Sequence, residues 1–472
     1  MPTDEQMNDI VDTWLESTND SPHSAPLTVA RVMARLPQTR QRRTWWPLSL
    51  RGRAAVTTPD TSDEVAGSVT KAAVSGRSPT LTGSTRSMLS PVKIVTTGAV
   101  LAAVSVFLIA QPFDRADDPA PAIQVPATES GPLIEARQLH TATALGDGRV
   151  LVIGGKTPLD GPNTGALATA EMWDPVSGDF APAGSVTAAR YGHTATLLSD
   201  GRVLVIGGYG NDALWLDTAE VWDPATGEFT SAGSLNVGRH AHAATLLPDG
   251  RVLVTGGYGG EWEWLSSAEV WDPETETFTP TGDLSEARWE HDAVALPDGR
   301  VLIVGGAETI TPRTLLEAWN PETGEFAAAG ELEQGRTSHS TTVLADGRVL
   351  IVAGSPGGEP WEVASVEIWD PATNAVSAGD ALDFARSGHT ATLLPTGDVL
   401  VVGGTRSDAI EMPAELWDAE TDSFEVADMP TQQYGHTANL LPDGRVLILG
   451  GLVSDQESSS AAELLDPEAA LE

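Results

Sequence analysis

The feature that most constrains this chain is a unit of roughly fifty residues written seven times, a period that marks stacked or radial repeats. A histidine opens each copy: His140, His193, His242, His291, His339, His389 and His436, at spacings of 53, 49, 49, 48, 50 and 47 residues. The second copy reads HTATLLSDGRVLVIGG, then a variable stretch, then AEVWDPATGEFTSAGSL. A unit this short cannot bury its apolar face alone, so each copy must pack on its neighbours.

Each copy predicts four short strands. HTATLL and RVLVIGG are β-prone runs joined by a turn of the PDG kind, where glycine supplies the positive φ. AEVWDP is the third strand, DPATGE the next turn, and F-x-x-x-G-x-L the fourth. The Gly–Gly pair after the second strand recurs at Gly154–Gly155, Gly207–Gly208, Gly256–Gly257, Gly305–Gly306, Gly403–Gly404 and Gly450–Gly451, with Ala353–Gly354 in the fifth copy. Trp173, Trp222, Trp271, Trp319, Trp369 and Trp417 mark the third strands and are expected to fill the gaps between units; Leu465 stands there in the last copy. That copy stops at LLDPEAALE without a fourth strand. Upstream of the first copy, QVPATESGPLIEAR carries the G-x-L of a fourth strand at Gly131–Leu133, so this segment is expected to complete the seventh unit and close the ring, leaving no open edge. Ala127 takes the place of the usual Phe.

The histidine-anchored repeat, the Gly–Gly pair and the WDP turn resemble the kelch-repeat family over residues 124–467, with the central domain of galactose oxidase-like proteins among the relatives. The resemblance implies an all-β, seven-bladed kelch-type β-propeller in a membrane-anchored bacterial member, and it implies a fold without an activity. Relatives with galactose oxidase activity use copper, tyrosines, histidines and a thioether-linked cysteine. The chain has no cysteine, so that cofactor cannot form; no cofactor, metal or catalytic residue is expected. A sialidase S-x-D-x-G-x-T-W box, a Gly-rich phosphate loop and a G-x-S-x-G elbow are also missing.

Charge divides the rest. Residues 1–93 hold 11 basic and 9 acidic residues; the remainder holds 27 − 11 = 16 basic and 66 − 9 = 57 acidic. So acidic a body argues against nucleic acid, which needs basic patches to meet phosphate. At the break lies IVTTGAVLAAVSVFLIA, Ile94–Ala110, without a charge, at the short end of a bilayer span. Residues 31–93 carry 11 Lys/Arg against 3 acids, which by the positive-inside rule places the N-terminus in the cytoplasm and the repeats outside. The expected organisation is a short helical cytoplasmic segment (1–50), a flexible Ser/Thr/Gly/Pro linker (51–91), a transmembrane helix (92–113), an extracellular linker (114–123) and the propeller (124–472). In the first segment Met7, Ile10, Val11, Trp14 and Leu15 share one helical face, and Leu27–Leu36 predicts a second helix.

Residues that recur in every copy have structural explanations. The histidine starts the inner strand. The arginines three residues earlier (Arg137, Arg190, Arg239, Arg288, Arg336, Arg386, with Gln433 in the seventh place) match glutamates two before the Trp position (Glu171, Glu220, Glu269, Glu317, Glu367, Glu415, Glu463) and predict a ring of ion pairs. The Asp of WDP is a turn former. Function then belongs where copies differ, in the loops after each Gly–Gly. Those loops hold Trp215, Trp262, Trp264 and Trp361, and Trp289 adds a fifth ring in a linking loop. Exposed Trp is costly unless it binds or packs. Trp262 and Trp264 alternate with Glu261 and Glu263, which puts both rings on one side if the loop is extended. The expected function is a cell-surface binding or interaction module for protein or glycan on its loop face, anchored in the lipid bilayer by one helix. The alternatives are an extracytoplasmic carbohydrate-active enzyme, or a sensor propeller coupled to the cytoplasmic helices.

Overall fold

In each copy the β-prone runs pair antiparallel in chain order. In the first sheet Thr141–Ala144 pairs with Val150–Ile153, which pairs with Thr169–Trp173, which pairs with Phe180–Ser185. The computed structural model describes residues 123–157, 165–211, 215–260, 262–405, 412–431, 434–454 and 457–467. The expected cytoplasmic helices, the linker, the transmembrane segment 92–113 and Gln433 lie outside the described residues. Among the described residues all regular elements are strands, and no helix is long and apolar enough to cross a membrane.

Seven sheets among the described residues share this four-strand order. Their inner strands are Thr141–Ala144, Thr194–Leu197, Ala243–Leu246, Trp289–Ala295, Ser340–Val343, Thr390–Leu393 and Thr437–Leu440. Each lies beside the next, and the last lies beside the first, so the inner strands enclose a common axis. The second strands, such as Val150–Ile153 and Val203–Ile206, are wholly buried. These two are apolar throughout because sheets cover both of their faces.

The last sheet gains its fourth strand from the N-terminal side. Ala127–Glu129 pairs antiparallel with Ala462–Leu465, and Ala127 faces Leu465. In the other sheets this register puts Phe opposite Trp (Val376 opposite Trp369). Leu133 is buried between the last and first sheets. One addition was not legible in the sequence: Ile123–Gln124 pairs parallel with Ser423–Thr431, as an outer strand on the sixth sheet. A chain starting at residue 138 should melt about 5 °C or more below one starting at residue 120. It loses the burial of Leu133, worth about 1.5–3 kcal/mol, together with the strand pairing. Equal melting temperatures would show that the ring does not depend on this strand.

The sheets are fastened to one another by the repeated residues. Each third-strand Trp packs against the preceding sheet: Trp222 on the first, Trp271 on the second, and Trp173 on the last. In all but Trp417 the indole N–H donates to that sheet or the segment leaving it, as from Trp222 to the Ala183 carbonyl at 3.2 Å and from Trp271 to the Ala232 carbonyl at 3.0 Å. Six of the seven histidines bond through Nε2 to a hydroxyl of the preceding sheet: His193 to Thr141 at 2.9 Å, His242 to Thr194 at 3.0 Å, His291 to Thr255 at 2.8 Å, His389 to Ser340 at 2.8 Å, His436 to Thr390 at 2.9 Å and His140 to Thr437 at 3.1 Å. The Gly–Gly pair makes room for this packing. A Cβ on Gly154 would lie 2.9 Å from the His193 ring, and one on Gly155 would lie 2.8 Å from the Cβ of His140. Both glycines also have positive φ, which L side chains rarely tolerate.

Candidate functional site at the axial face

Two repeated columns frame the site. The first is the Arg–Glu set. The side chain of Arg239 is fully buried; it donates to Glu269 at 2.9 Å, to the carbonyls of Gly256 and Ser267 at 2.9 Å each, and to Ser267 Oγ at 3.0 Å. The second oxygen of Glu269 accepts from the backbone and side chain of Asn236, in the segment entering the sheet. The same pairing joins Arg137 to Glu171, Arg190 to Glu220, Arg288 to Glu317, Arg336 to Glu367 and Arg386 to Glu415. These are the expected ion pairs, and they lie inside the protein, where both charges are consumed by structure.

The second column is the residue before each histidine: Leu139, Gly192, Ala241, Glu290, Ser338, Gly388 and Gly435. All seven have φ between 49° and 67°. The N–H of Gly192 donates to Leu139, Ala241 to Gly192, Glu290 to Ala241, Gly388 to Ser338, and Leu139 back to Gly435. This belt of backbone hydrogen bonds runs around the axis. Four of its members are not glycine, so the strain of the left-handed region is accepted there for ring closure.

Just outside the belt stands a column that varies from copy to copy: Gln138, Tyr191, His240, Trp289, Thr337, Ser387 and Tyr434. Each member pairs across with a residue following the second strand, namely Lys156, Tyr209, Tyr258, Ala307, Ser355, Thr405 and Leu452. One half of this face is therefore aromatic and the other carries hydroxyls. The aromatic half is continuous. Tyr191 lies 5.4 Å from Tyr209, Tyr209 lies 5.5 Å from His240, and His240 lies 5.8 Å from Tyr258. Lys156 Nζ sits 4.9 Å from the Tyr191 ring centroid, a cation–π contact. The Nδ1 of His240 is 3.0 Å from the carbonyl of Tyr258. A carbonyl can only accept, so Nδ1 carries the hydrogen and Nε2 is left as an acceptor. Burial lowers the pKa of this imidazole and keeps it neutral. On the axis itself Ser338 donates to Glu290 at 3.1 Å, and burial raises the Glu290 pKa. The carboxylate of Glu290 and, before it, burial hold the Tyr434 phenol up at about 12.

The five tryptophans singled out by sequence do not form one platform. Trp215 is a hub, edge-on to Tyr209, Tyr258 and Trp262 at 6.2, 5.7 and 4.9 Å. Trp264 packs against Tyr258 at 5.5 Å, in a hairpin that pairs Tyr258–Gly259 with Glu263–Trp264. The loop is therefore folded rather than extended, and Trp262 and Trp264 turn to different neighbours. Trp289 begins the fourth inner strand, half-buried, and Trp361 donates to Glu359 at 2.8 Å in another loop. Trp262 stands apart: it is 62% exposed and has φ of 68°. A bulky residue in the left-handed region is a genuine outlier, and nothing in the fold is gained by exposing its ring. Sequence reading missed Tyr191, Tyr209, His240, Tyr258 and Glu290. The available signal was a varying column directly beside invariant ones.

The chain lacks cysteine, and no group of three or more His, Asp or Glu among the described residues could hold a metal ion.

Among known families, the KLHDC2/KLHL20/DRC7 Kelch-repeats domain matches residues 139–358. No curated protein matches the chain. Among solved structures, the chain is similar to a fungal alcohol oxidase of the AA5 family in complex with copper, with a TM-score of 0.56 and 18% identity, covering 72% of this chain and 75% of that one. Matching solved chains number 1067, and at this identity the likeness shows the fold alone.

Proposed function

The β-sheet region belongs to the kelch-repeat family with a galactose oxidase-like fold, and from that premise we propose that it is a seven-bladed propeller serving as a binding module. Its ligand-bearing surface is the aromatic half of the axial face. The observation that carries this reading is Trp262, whose ring is exposed and whose backbone is strained. Strained backbone persists where the surroundings force it, and it clusters at binding sites. The rings of Trp215, Tyr258 and Trp264 behind it are packed and rigid, which limits the entropy lost on binding. Protein partners are the first reading, because kelch domains mediate protein interactions and an exposed Trp is a typical anchor; glycans, which stack on the same rings, are the second.

The inner strands that follow one another in closed succession support seven blades. The excess of Lys and Arg ahead of Ile94 supports a single-pass anchor with the propeller outside the cell. Protease added to intact cells, with any outer layer removed, should then digest or release the propeller and spare residues 1–93. A protected propeller would reverse the orientation.

For binding, immobilised chain is exposed to envelope extract and to a glycan array. Trp262→Ala should remove at least nine-tenths of the capture while the melting temperature moves by no more than about 2–4 °C. Unchanged capture would withdraw the site. A large fall in stability would assign Trp262 to packing.

A further inference from the structure

The belt around the axis holds one charged side chain. Six of its members are Leu139, Gly192, Ala241, Ser338, Gly388 and Gly435, and the seventh is Glu290. The N–H of Glu290 donates to the Ala241 carbonyl at 3.1 Å, as its counterparts donate around the ring. Leucine, alanine, serine and glycine all adopt the same left-handed φ in this belt. Closing the ring therefore does not call for a carboxylate.

The six buried glutamates of the repeat each meet an arginine. Glu290 meets none. Among the described residues its one side-chain partner is the Ser338 hydroxyl, which donates to Oε2 at 3.1 Å. No cationic side chain among them offsets the burial that raises its pKa, and Oε1 has no partner there. Tyr434 arrives from the other side of the ring. Its ring lies over Gly388, where a Cβ would collide with it, and Gly388 donates to the Ser338 carbonyl at 2.8 Å. The phenol is close enough to feel the Glu290 carboxylate. Glu290, Ser338 and Tyr434 are each half-buried and keep part of their surface open to solvent. A carboxylate, a hydroxyl and a phenol from three copies thus meet at the axis. Charges withdrawn from water are paired, and here the described residues supply no pair.

We propose that Glu290, Ser338 and Tyr434 bind one primary ammonium group at the axis, carried by a lysine side chain or by the free N-terminus of a partner protein. A lone carboxylate is too few anionic donors for a divalent metal. An ammonium needs one counter-charge and has three N–H donors, and these three side chains offer it a carboxylate and two hydroxyl oxygens. A guanidinium fits less well. Its planar fork pairs with both oxygens of a carboxylate, and Ser338 already holds one of them. The chain beyond residue 93 carries 57 acidic against 16 basic residues, a field that draws cations toward it. The site does not involve Trp262 and stands apart from the loop-face reading.

The test follows the melting temperature of the purified full-length chain with two probes, each compared with NaCl at equal ionic strength. One is n-butylammonium, the end of a lysine side chain; the other is glycinamide, which presents a free N-terminal amine. Wild type should show a saturable rise of about 2–4 °C once a probe reaches about five times its Kd. The probe that gives the larger rise identifies the source of the ammonium. Tetramethylammonium, with the charge but no N–H, should give none. Glu290→Gln, closest in shape, should abolish the rise and melt no lower than probe-free wild type. Glu290→Ser, which places there the residue of the next copy, should do the same, so a folding failure in one variant leaves the test intact. Glu274→Gln, in an exposed turn, should respond as wild type. The capture that depends on Trp262 is a separate readout, so either site can fail without the other. An equal rise in both Glu290 variants, or with tetramethylammonium, would assign the effect to the acidic surface and overturn the site, as would a wild type that responds to neither amine.

Discussion

Arg239→Ala should lower the stability of the propeller by about 3–5 kcal/mol, because it leaves the Glu269 carboxylate buried without its counter-charge. In a domain of some 200 residues each kcal/mol moves the melting temperature by about 2–4 °C, so the fall is about 6–20 °C. The carbonyls of Gly256 and Ser267 lose their donor in the same change, and the segment held by Glu269 through Asn236 comes loose. The double change Arg239→Met with Glu269→Leu should cost less than the single change, since no charge is then stranded. Melting curves of the three chains decide it. A single variant within about 1 °C of wild type would show that the pair is replaceable by water, and a double variant worse than the single one would assign its value to attraction rather than to avoided desolvation.

The second large effect is acid sensitivity. His140, His193, His242, His291 and His389 are buried, and burial is the main cause that lowers their pKa, to about 3 for His140 and His291. The neighbouring arginines push the same way. The unfolded chain binds these protons near pH 6.5 and the folded chain does not. Their contribution is therefore fully present above pH 6.5 and is lost as pH falls from there toward the folded values. The loss is about 1.4 kcal/mol per pH unit for each histidine. Five together reach the whole stability of a domain, about 5–15 kcal/mol, within about two units. Asp292 acts in the opposite sense: burial raises it to about 6, so its term favours folding as pH falls through that value. Glu290 and Glu415, also raised by burial, act in the same sense as Asp292, and these three are outweighed by the five histidines. The melting temperature should be flat above pH 6.5 and fall steeply by pH 4.5, with unfolding at pH 5.5 taking up about five protons. A melting temperature unchanged from pH 7 to pH 5 would mean that the histidines are wet and charged in the folded state.

These two predictions concern residues that the sequence exposed by repetition. A position occupied by the same residue in every copy must do the same work in every copy. Thus the interface Trp, the inner-strand His, the Arg–Glu pair and the Asp turn could all be assigned before any coordinates. The Asp turns are present as expected, with Asp223 accepting from Ala225 N at 2.7 Å and Asp370 from Ala372 N at 2.7 Å. The missing fourth strand also followed from the spacing, and Ala127 faces Leu465 as the repeat register requires.

The site was less legible. Sequence drew attention to the loop tryptophans, because length and aromaticity are visible there, and an extended loop put Trp262 and Trp264 side by side. The hairpin of Tyr258–Trp264 separates them, and only the packed coordinates reveal that Trp215 stands between Trp262 and the tyrosines. Tyr191, His240 and Trp289 come from different copies and sit on one face because ring closure brings the same column of each copy to the axis. Nothing within a single copy carries that information.

By itself, then, the sequence determined the repeat, its strands and turns, its fastening residues and its closing strand, since each is a local or periodic property of the chain. The tertiary structure alone decided the belt of left-handed residues around the axis and the continuous aromatic sector. Those depend on which residues of separate copies meet after closure, and hydrogen-bond partners forty to fifty residues apart leave no mark in local pattern.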